Sequence, residues 1–144
     1  MEMLTIGYEG REINEFISRL KHFNVTRLID VREIPLSRKR GFSKSALKER
    51  LEYEHIDYVH LKHLGSPADI RKKLKADGDY KYFSDAYSKY LSKNLEAVKE
   101  VYQYVVHGIN CIMCFERFSE KCHRSIVANK IKEYGGDGLR IKHI

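Results

Sequence analysis

The sequence has few cysteines, few prolines and no long apolar run, and each scarcity argues against a class of protein. Its 144 residues include three cysteines and two prolines. Three cysteines do not suggest the disulfide framework of a small secreted domain, so we expect either buried thiols or reactive ones. No apolar stretch approaches the roughly 20 residues of a membrane-spanning helix, and the N-terminus reads as a strand rather than a signal peptide. We therefore expect a cytoplasmic protein with no membrane partner.

The sequence also lacks internal repeats, low-complexity tracts and linkers, which indicates a single domain over residues 1–144. Strand patterns and amphipathic helix patterns alternate along the chain. This alternation predicts βαβ units with right-handed crossovers. We predict an α/β fold in which a mostly parallel sheet of about five strands carries helices on both faces. The predicted strands span residues 3–6, 25–31, 56–60, 109–115 and 139–141, and the longest predicted helix runs from Asp79 to about Val106.

The chain is basic: it has 27 lysines and arginines and 20 acidic residues, which gives a formal net charge of +7. The excess is concentrated in two blocks. Such blocks suit a polyanion or a phosphorylated ligand, but they are also typical of a solvated helix face on a basic protein. The first block contains Arg38, Lys39, Arg40, Lys44, Lys48 and Arg50, and the second contains Arg71, Lys72, Lys73 and Lys75.

The triplet Cys122-His123-Arg124 lies where a buried strand pattern gives way to a helix pattern. In the first turn of a helix, free backbone N–H groups and the helix dipole favour negative charge. A cysteine there, next to Arg124, should have a pKa below that of a free thiol. The same turn could instead bind an anion. A third interpretation is a half-buried cysteine with two solvated neighbours.

Ionisable residues follow the predicted ends of four separate strands. In an open α/β sheet, ligands bind outside the carboxyl ends of the strands. Polar residues that several loops supply to this edge favour a functional site. Each also has a structural interpretation, such as an Arg32 paired with Asp30 or a His60 whose hydrogen bonds are simply satisfied. The residues are Tyr8, Glu9 and Gly10 after the first strand, Arg32 after the second, His60 and His63 after the third, and Glu116 and Arg117 after the fourth.

The cysteines and histidines do not have the spacing of a metal site. Cys111 and Cys114 form a C-x-x-C pair, but an offset of three places them on opposite faces of a strand. His55, His60 and His63 have no partners at metal-ligand spacing. We predict no metal and no cofactor.

Seven short motifs occur along the chain: Gly7-Tyr8-Glu9-Gly10, Asp30-Val31-Arg32 with Pro35 and Ser37, Phe42-Ser43, Tyr58-x-His60, Leu64-Gly65, Cys114-x-Glu116 and Cys122-His123-Arg124. Taken together, they resemble the family called domain of unknown function 488, over nearly the whole chain and in the same order. The chain departs from the family pattern at Ser66, where members often carry a second glycine. The resemblance implies an α/β fold and a shared site built from Glu9, Arg32, Glu116 and the Cys-His-Arg turn, without supplying a reaction.

The first functional hypothesis is an enzyme whose substrate carries phosphate, as a nucleotide or a nucleic acid does. Arg32, Arg124 and the helix N-terminus would hold the anion. The C-x5-R loop of cysteine phosphatases is absent, because Ala128 stands six residues after Cys122. We predict Glu9, Glu116 and Cys122 as catalytic residues, and Tyr8, Arg32, Ser37, His60, His123 and Arg124 as substrate-binding residues.

Two other hypotheses remain open from the sequence. One is a non-catalytic nucleic-acid-binding module that uses the basic surface from Arg38 to Arg50, with a steep salt dependence and no need for Cys122. The other is a thiol redox sensor in which Cys114 resolves an oxidised Cys122. The sequence leaves the oligomeric state open.

Overall fold

The computed structural model describes residues 1–116 and 123–144 of the chain. These residues form one sheet of five strands in the order β3-β2-β4-β1-β5, and all four pairings are parallel. The prediction of a single α/β fold with a parallel sheet is confirmed. The strands are β1 (Glu2–Gly7), β2 (Arg27–Asp30), β3 (Asp57–His60), β4 (Asn110–Cys114) and β5 (Arg140–His143).

Six helices connect or follow these strands in the described part of the chain, together with short 3-10 turns at Lys62–Leu64 and Gly136–Gly138. Their apolar positions recur every three or four residues, which is the spacing that buries one face of a helix. No described helix is both long enough and apolar enough to cross a membrane. The helices are α1 (Ile13–His22), α2 (Lys44–Tyr53), α3 (Ala68–Asp77), α4 (Tyr80–Ser92), α5 (Leu95–Val105) and α6 (His123–Gly135).

The prediction of one continuous helix from Asp79 to Val106 is wrong. The helix is interrupted at Lys93 and Asn94, which lie between α4 and α5. The side-chain amide of Asn94 donates a 2.9 Å hydrogen bond to the backbone oxygen of Tyr90, near the end of α4. Asparagine competes in this way with helical hydrogen bonding. The helical spacing of apolar residues continues across the interruption to Leu95, so the sequence pattern alone predicts an unbroken helix. In the structure, Leu95 is exposed and does not continue the buried face.

The sheet separates two hydrophobic cores, so helices cover both of its faces as predicted. On one face, α1 and α2 pack over strand residues such as Leu4, Leu28 and Met113. On the other face, α3, α4, α5 and α6 pack over strand residues that include Met3 and Ile112. Because side chains alternate along a strand, neighbouring residues of each central strand enter opposite cores. Since all strands are parallel, the segments after them collect at one carboxyl edge.

Candidate functional site at the carboxyl edge of the sheet

A cleft of about 270 Å³ opens at the carboxyl edge, between the segments that follow β1, β2, β3 and β4. This is where a parallel α/β sheet is expected to bind a ligand. Of the predicted site residues, Tyr8, Arg32 and Glu116 line the cleft. The other lining residues are Glu33, Ile34, Leu36, Ser66, Arg71 and Phe115.

Arg32 forms a buried ion pair with Asp30 on one wall of the cleft. The Oδ1 atom of Asp30 accepts hydrogen bonds from the backbone N of Arg32 at 3.1 Å and from its Nε at 2.9 Å. The Oδ2 atom accepts from Arg32 Nη2 at 2.7 Å and from the Tyr58 hydroxyl at 2.6 Å. Burial alone would lower the pKa of Arg32, but the hydrogen bonds and charge of Asp30 raise it above its ordinary value.

The remaining polar groups of Arg32 bind neighbouring segments of the cleft wall. Its Nη1 atom donates to the backbone oxygen of Phe42 at 2.7 Å and to the Tyr8 hydroxyl at 3.4 Å. The Nε2 atom of His60 lies 2.7 Å from the backbone oxygen of Arg32. A carbonyl oxygen only accepts, so His60 carries its proton on Nε2 in this contact. Both residues therefore fix the loop after β2, as their structural interpretations proposed.

Aromatic rings form a second wall. The Tyr8 ring stacks on Phe42 with centroids 4.6 Å apart, and it meets the edge of Phe115 at 5.2 Å. Tyr8 is buried, whereas 45% of the Phe115 surface is exposed. Phe115 thus presents an exposed aromatic surface to the cleft, and its ring packs against the ring of Tyr8.

Arg124 binds the backbone of the chain segment that follows β4. It is buried, and its Nη1 atom donates to the backbone oxygen of Glu116 at 3.1 Å. Gly7 permits this arrangement, because a Cβ atom there would lie 1.7 Å from the Glu116 oxygen and 2.6 Å from Arg124 Nη1. Arg124 is not among the described residues that line the cleft. Arg124 therefore contacts the backbone of Glu116 but does not line the cleft with Arg32.

The third wall contains residues that the sequence argument did not select. Arg71 Nη2 donates to Glu33 Oε1 at 3.0 Å, and its Nη1 donates to the backbone oxygen of Ser66. A Cβ atom on Gly65 would lie 2.3 Å from the backbone N of Glu33, so this turn packs directly on the loop after β2. Arg71 was interpreted only as part of a basic block. The nearby Leu64-Gly65 motif was the available signal.

Ser66 carries a buried polar atom at the cleft. Its Oγ atom has no hydrogen-bond partner among the residues that the structure describes, and the residue is 1% exposed. A buried hydroxyl without a partner costs about 1–3 kcal/mol, so such a group calls for an explanation. A ligand in the cleft would supply one.

Like His60 and Arg124, the predicted site residues Glu9 and Ser37 are not among the lining residues of the cleft. Glu9 is exposed, and its backbone N donates to the Phe115 oxygen at 2.8 Å. Ser37 stabilises the loop before α2, since its backbone N donates to Ser43 Oγ at 3.0 Å and the same hydroxyl donates to the Ser37 oxygen at 3.1 Å. Ser43 directly precedes α2, and its hydroxyl makes no capping hydrogen bond to that helix.

Cys122 and the side chain of His123 lie outside the described residues, as does Arg117. The other two cysteines, Cys111 and Cys114, are buried. Burial raises the pKa of Cys111 far above its ordinary value, although the charge of Arg124 opposes this shift. Within the described ranges, no group of three histidine, cysteine or acidic side chains is arranged to hold a metal ion.

Comparison with known proteins gives one result. No curated protein and no solved structure shows significant similarity to the chain. The family model described as "Domain of unknown function DUF488" matches residues 12–131, and the chain therefore belongs to this family.

Proposed function

We propose that this protein is an enzyme that acts on a phosphate-bearing nucleotide substrate and binds its base in the cleft at the carboxyl edge. The observation that carries this proposal is the cleft itself, whose lining combines an exposed aromatic ring, a carboxylate and a buried hydroxyl that has no hydrogen-bond partner among the described residues. Its volume of about 270 Å³ lies just below the range of about 300–1,000 Å³ for small-molecule sites. A base-sized group suits this volume better than a complete nucleotide does.

The charges that line the cleft favour a neutral, flat group with polar edges. Arg32 is paired with Asp30, and Arg71 is paired with Glu33. These two ion pairs leave little net positive charge to hold a phosphate. The exposed apolar side chains of Ile34 and Leu36 lie in the same cleft as the ring of Phe115. A nucleobase combines an apolar face with hydrogen-bonding edges, and aromatic side chains stack on such faces.

Glu116 is the residue that we assign as general acid or base. Of the two carboxylates that the sequence predicts as catalytic, Glu116 lines the cleft, whereas Glu9 is not among the described lining residues. A carboxylate within hydrogen-bond reach of a bound substrate can transfer a proton in the transition state. In this proposal, Ser66 Oγ bonds to an edge of the base, whereas the nucleophilic role of Cys122 stays a prediction from the sequence.

A second candidate function is a non-catalytic nucleic-acid-binding module. It is favoured by a group of exposed cations that form no ion pair among the described residues. This function needs phosphate contacts but neither Glu116 nor turnover. The cations are Arg38, Arg40, Lys44 and Lys48.

A nucleotide panel tests the proposal with two variants and matched controls. Calorimetric titration of ribonucleosides and their monophosphates should detect binding that Phe115→Ala weakens about 5- to 150-fold, the equivalent of 1–3 kcal/mol of stacking. Tyr53→Ala, which removes an exposed ring outside the cleft, should leave binding unchanged.

Turnover separates the two candidate functions. Product formation by the wild type that Glu116→Gln abolishes, with binding retained, supports the enzyme. Glu100→Gln on α5 removes an exposed carboxylate elsewhere and should change neither quantity. Binding without any product from the nucleotides or from an oligonucleotide would support the binding module instead.

A further inference from the structure

A second concavity of about 520 Å³ adjoins the cleft. The two share Glu33 and Ile34, which lie in the loop after β2, so they are neighbours on the two sides of this loop segment. The lining residues that only the second concavity contains are Pro35, Lys44, His60 and Lys62.

Within residues 1–116 and 123–144, this concavity is lined by unpaired positive charge, whereas the two arginines that line the cleft are both in ion pairs. Lys44 and Lys62 are exposed and form no ion pair among the residues that the structure describes. Its single lining carboxylate in the described part of the chain, Glu33, is already paired with Arg71 at 3.0 Å. Two ammonium groups without a carboxylate partner favour a phosphate between them.

The cationic surface continues beyond the concavity. Lys48 follows Lys44 by one helical turn of α2, so both side chains lie on the same side of the helix. Lys48 is also exposed and has no ion pair among the described residues. By contrast, two cations of the second basic block form ion pairs, Arg71 with Glu33 and Lys73 with Asp77. The surface from Lys62 through Lys44 to Lys48 therefore suits a chain of phosphates.

We propose that the ligand is a single-stranded nucleic acid, with one base in the cleft and its phosphate backbone across the second concavity on Lys44 and Lys62. This rests on the proposed function and specifies its substrate class. The cleft holds one base-sized group, whereas the adjoining concavity is almost twice as large and faces the exposed lysines. A base inside a duplex would first have to leave the stack, which costs a few kcal/mol, so a single strand is the preferred form.

Fluorescence anisotropy of a labelled eight-nucleotide DNA strand tests this assignment in the full chain. The double variant Lys44→Gln/Lys62→Gln should weaken binding at least tenfold at low salt. It should also reduce the slope of log K against log salt by about 1.4, since each phosphate contact on a single strand contributes about 0.7. The control Lys89→Gln/Lys93→Gln removes the same charge at exposed positions that line neither concavity, and should leave the slope unchanged.

The outcomes separate this inference from the proposed function. The inference is overturned if a nucleoside monophosphate binds as tightly as the eight-nucleotide strand, or if the two double variants lower the slope equally; in both cases cleft binding of a nucleotide still stands. It is also overturned if duplex DNA binds more tightly than the single strand and Phe115→Ala has no effect. If neither nucleotide nor strand binds at all, both proposals fail.

Discussion

Arg32 donates three hydrogen bonds to the carboxylate of Asp30, two residues earlier in the chain, and both side chains are buried. The pair joins the end of β2 to Tyr58 on β3 and, through Arg32 Nη1, to the loop residue Phe42. Arg32 therefore forms part of the cleft wall, and its positive charge is already neutralised by Asp30. This relationship alters what a mutation at Arg32 is expected to do.

Arg32→Ala should destabilise the fold strongly, by about 3–5 kcal/mol, because it leaves the buried Asp30 carboxylate without its counter-charge. Urea unfolding measures this change. Arg140→Ala is the matched control, since it removes an exposed arginine that lies 3.7 Å from Glu2 and should cost less than about 1 kcal/mol. If the free energy of unfolding of Arg32→Ala lies within about 1 kcal/mol of the wild-type value, the structural role of Arg32 is contradicted.

The Tyr58 hydroxyl should make the protein less stable at alkaline pH. Burial first, and then the charge of Asp30, raise the pKa of Tyr58 well above its ordinary value of 10.0. Above pH 10 the unfolded chain loses this proton while the folded chain retains it, so stability falls as pH rises. Tyr58→Phe should flatten the decline measured by urea unfolding between pH 9 and about 11.

Tyr53→Phe is the control for this titration, because its side chain is exposed. It should follow the wild-type pH profile. If Tyr58→Phe declines as steeply as the wild type above pH 10, then the hydrogen bond to Asp30 does not hold the proton in the folded state.

Gly7→Ala should disrupt the contact between β1 and the chain after β4. The added Cβ atom would overlap the backbone oxygen of Glu116, which cannot move without displacing Arg124. Thermal unfolding should report a loss of roughly 1–3 kcal/mol or more. Gly138→Ala places its nearest contact at 3.9 Å and should be nearly neutral. Equal melting temperatures for the two variants would show that the overlap relaxes freely.

Thiol labelling should distinguish the cysteines in the native protein. Cys111 and Cys114 are buried, and burial raises the pKa of the Cys111 thiol, so neither should react with limiting iodoacetamide. The sequence predicts Cys122 as the reactive position. Mass spectrometry locates the label, and labelling in urea should recover all three cysteines. Preferential labelling of Cys111 in the native protein would refute this order.

The sequence predicted the strands and their parallel arrangement because apolar runs and amphipathic stripes are local patterns. It missed the break at Asn94, since the apolar spacing runs straight through to Leu95. Periodicity records which residues are apolar, but it does not record where an asparagine side chain replaces the helical hydrogen bond.

The candidate site was predictable only where its residues directly follow a strand. Tyr8, Arg32 and Glu116 meet at the cleft for this reason. Arg71 was missed because its partner Glu33 is 38 residues away, and no local pattern encodes a pair at that separation. The contact also depends on the close packing of Gly65 on the loop after β2, which is a property of the folded chain.

The central claim, that the cleft binds a nucleotide base, is tested most directly by amide chemical shifts of the ¹⁵N-labelled protein titrated with a nucleoside monophosphate. We expect saturable shifts concentrated at Tyr8, Ser66, Phe115 and Glu116, which line the cleft. Exposed residues of α4 that do not line the cleft, such as Lys81 and Lys89, should remain unshifted. An absence of shifts at the cleft residues, or shifts confined to positions outside it, would contradict the claim.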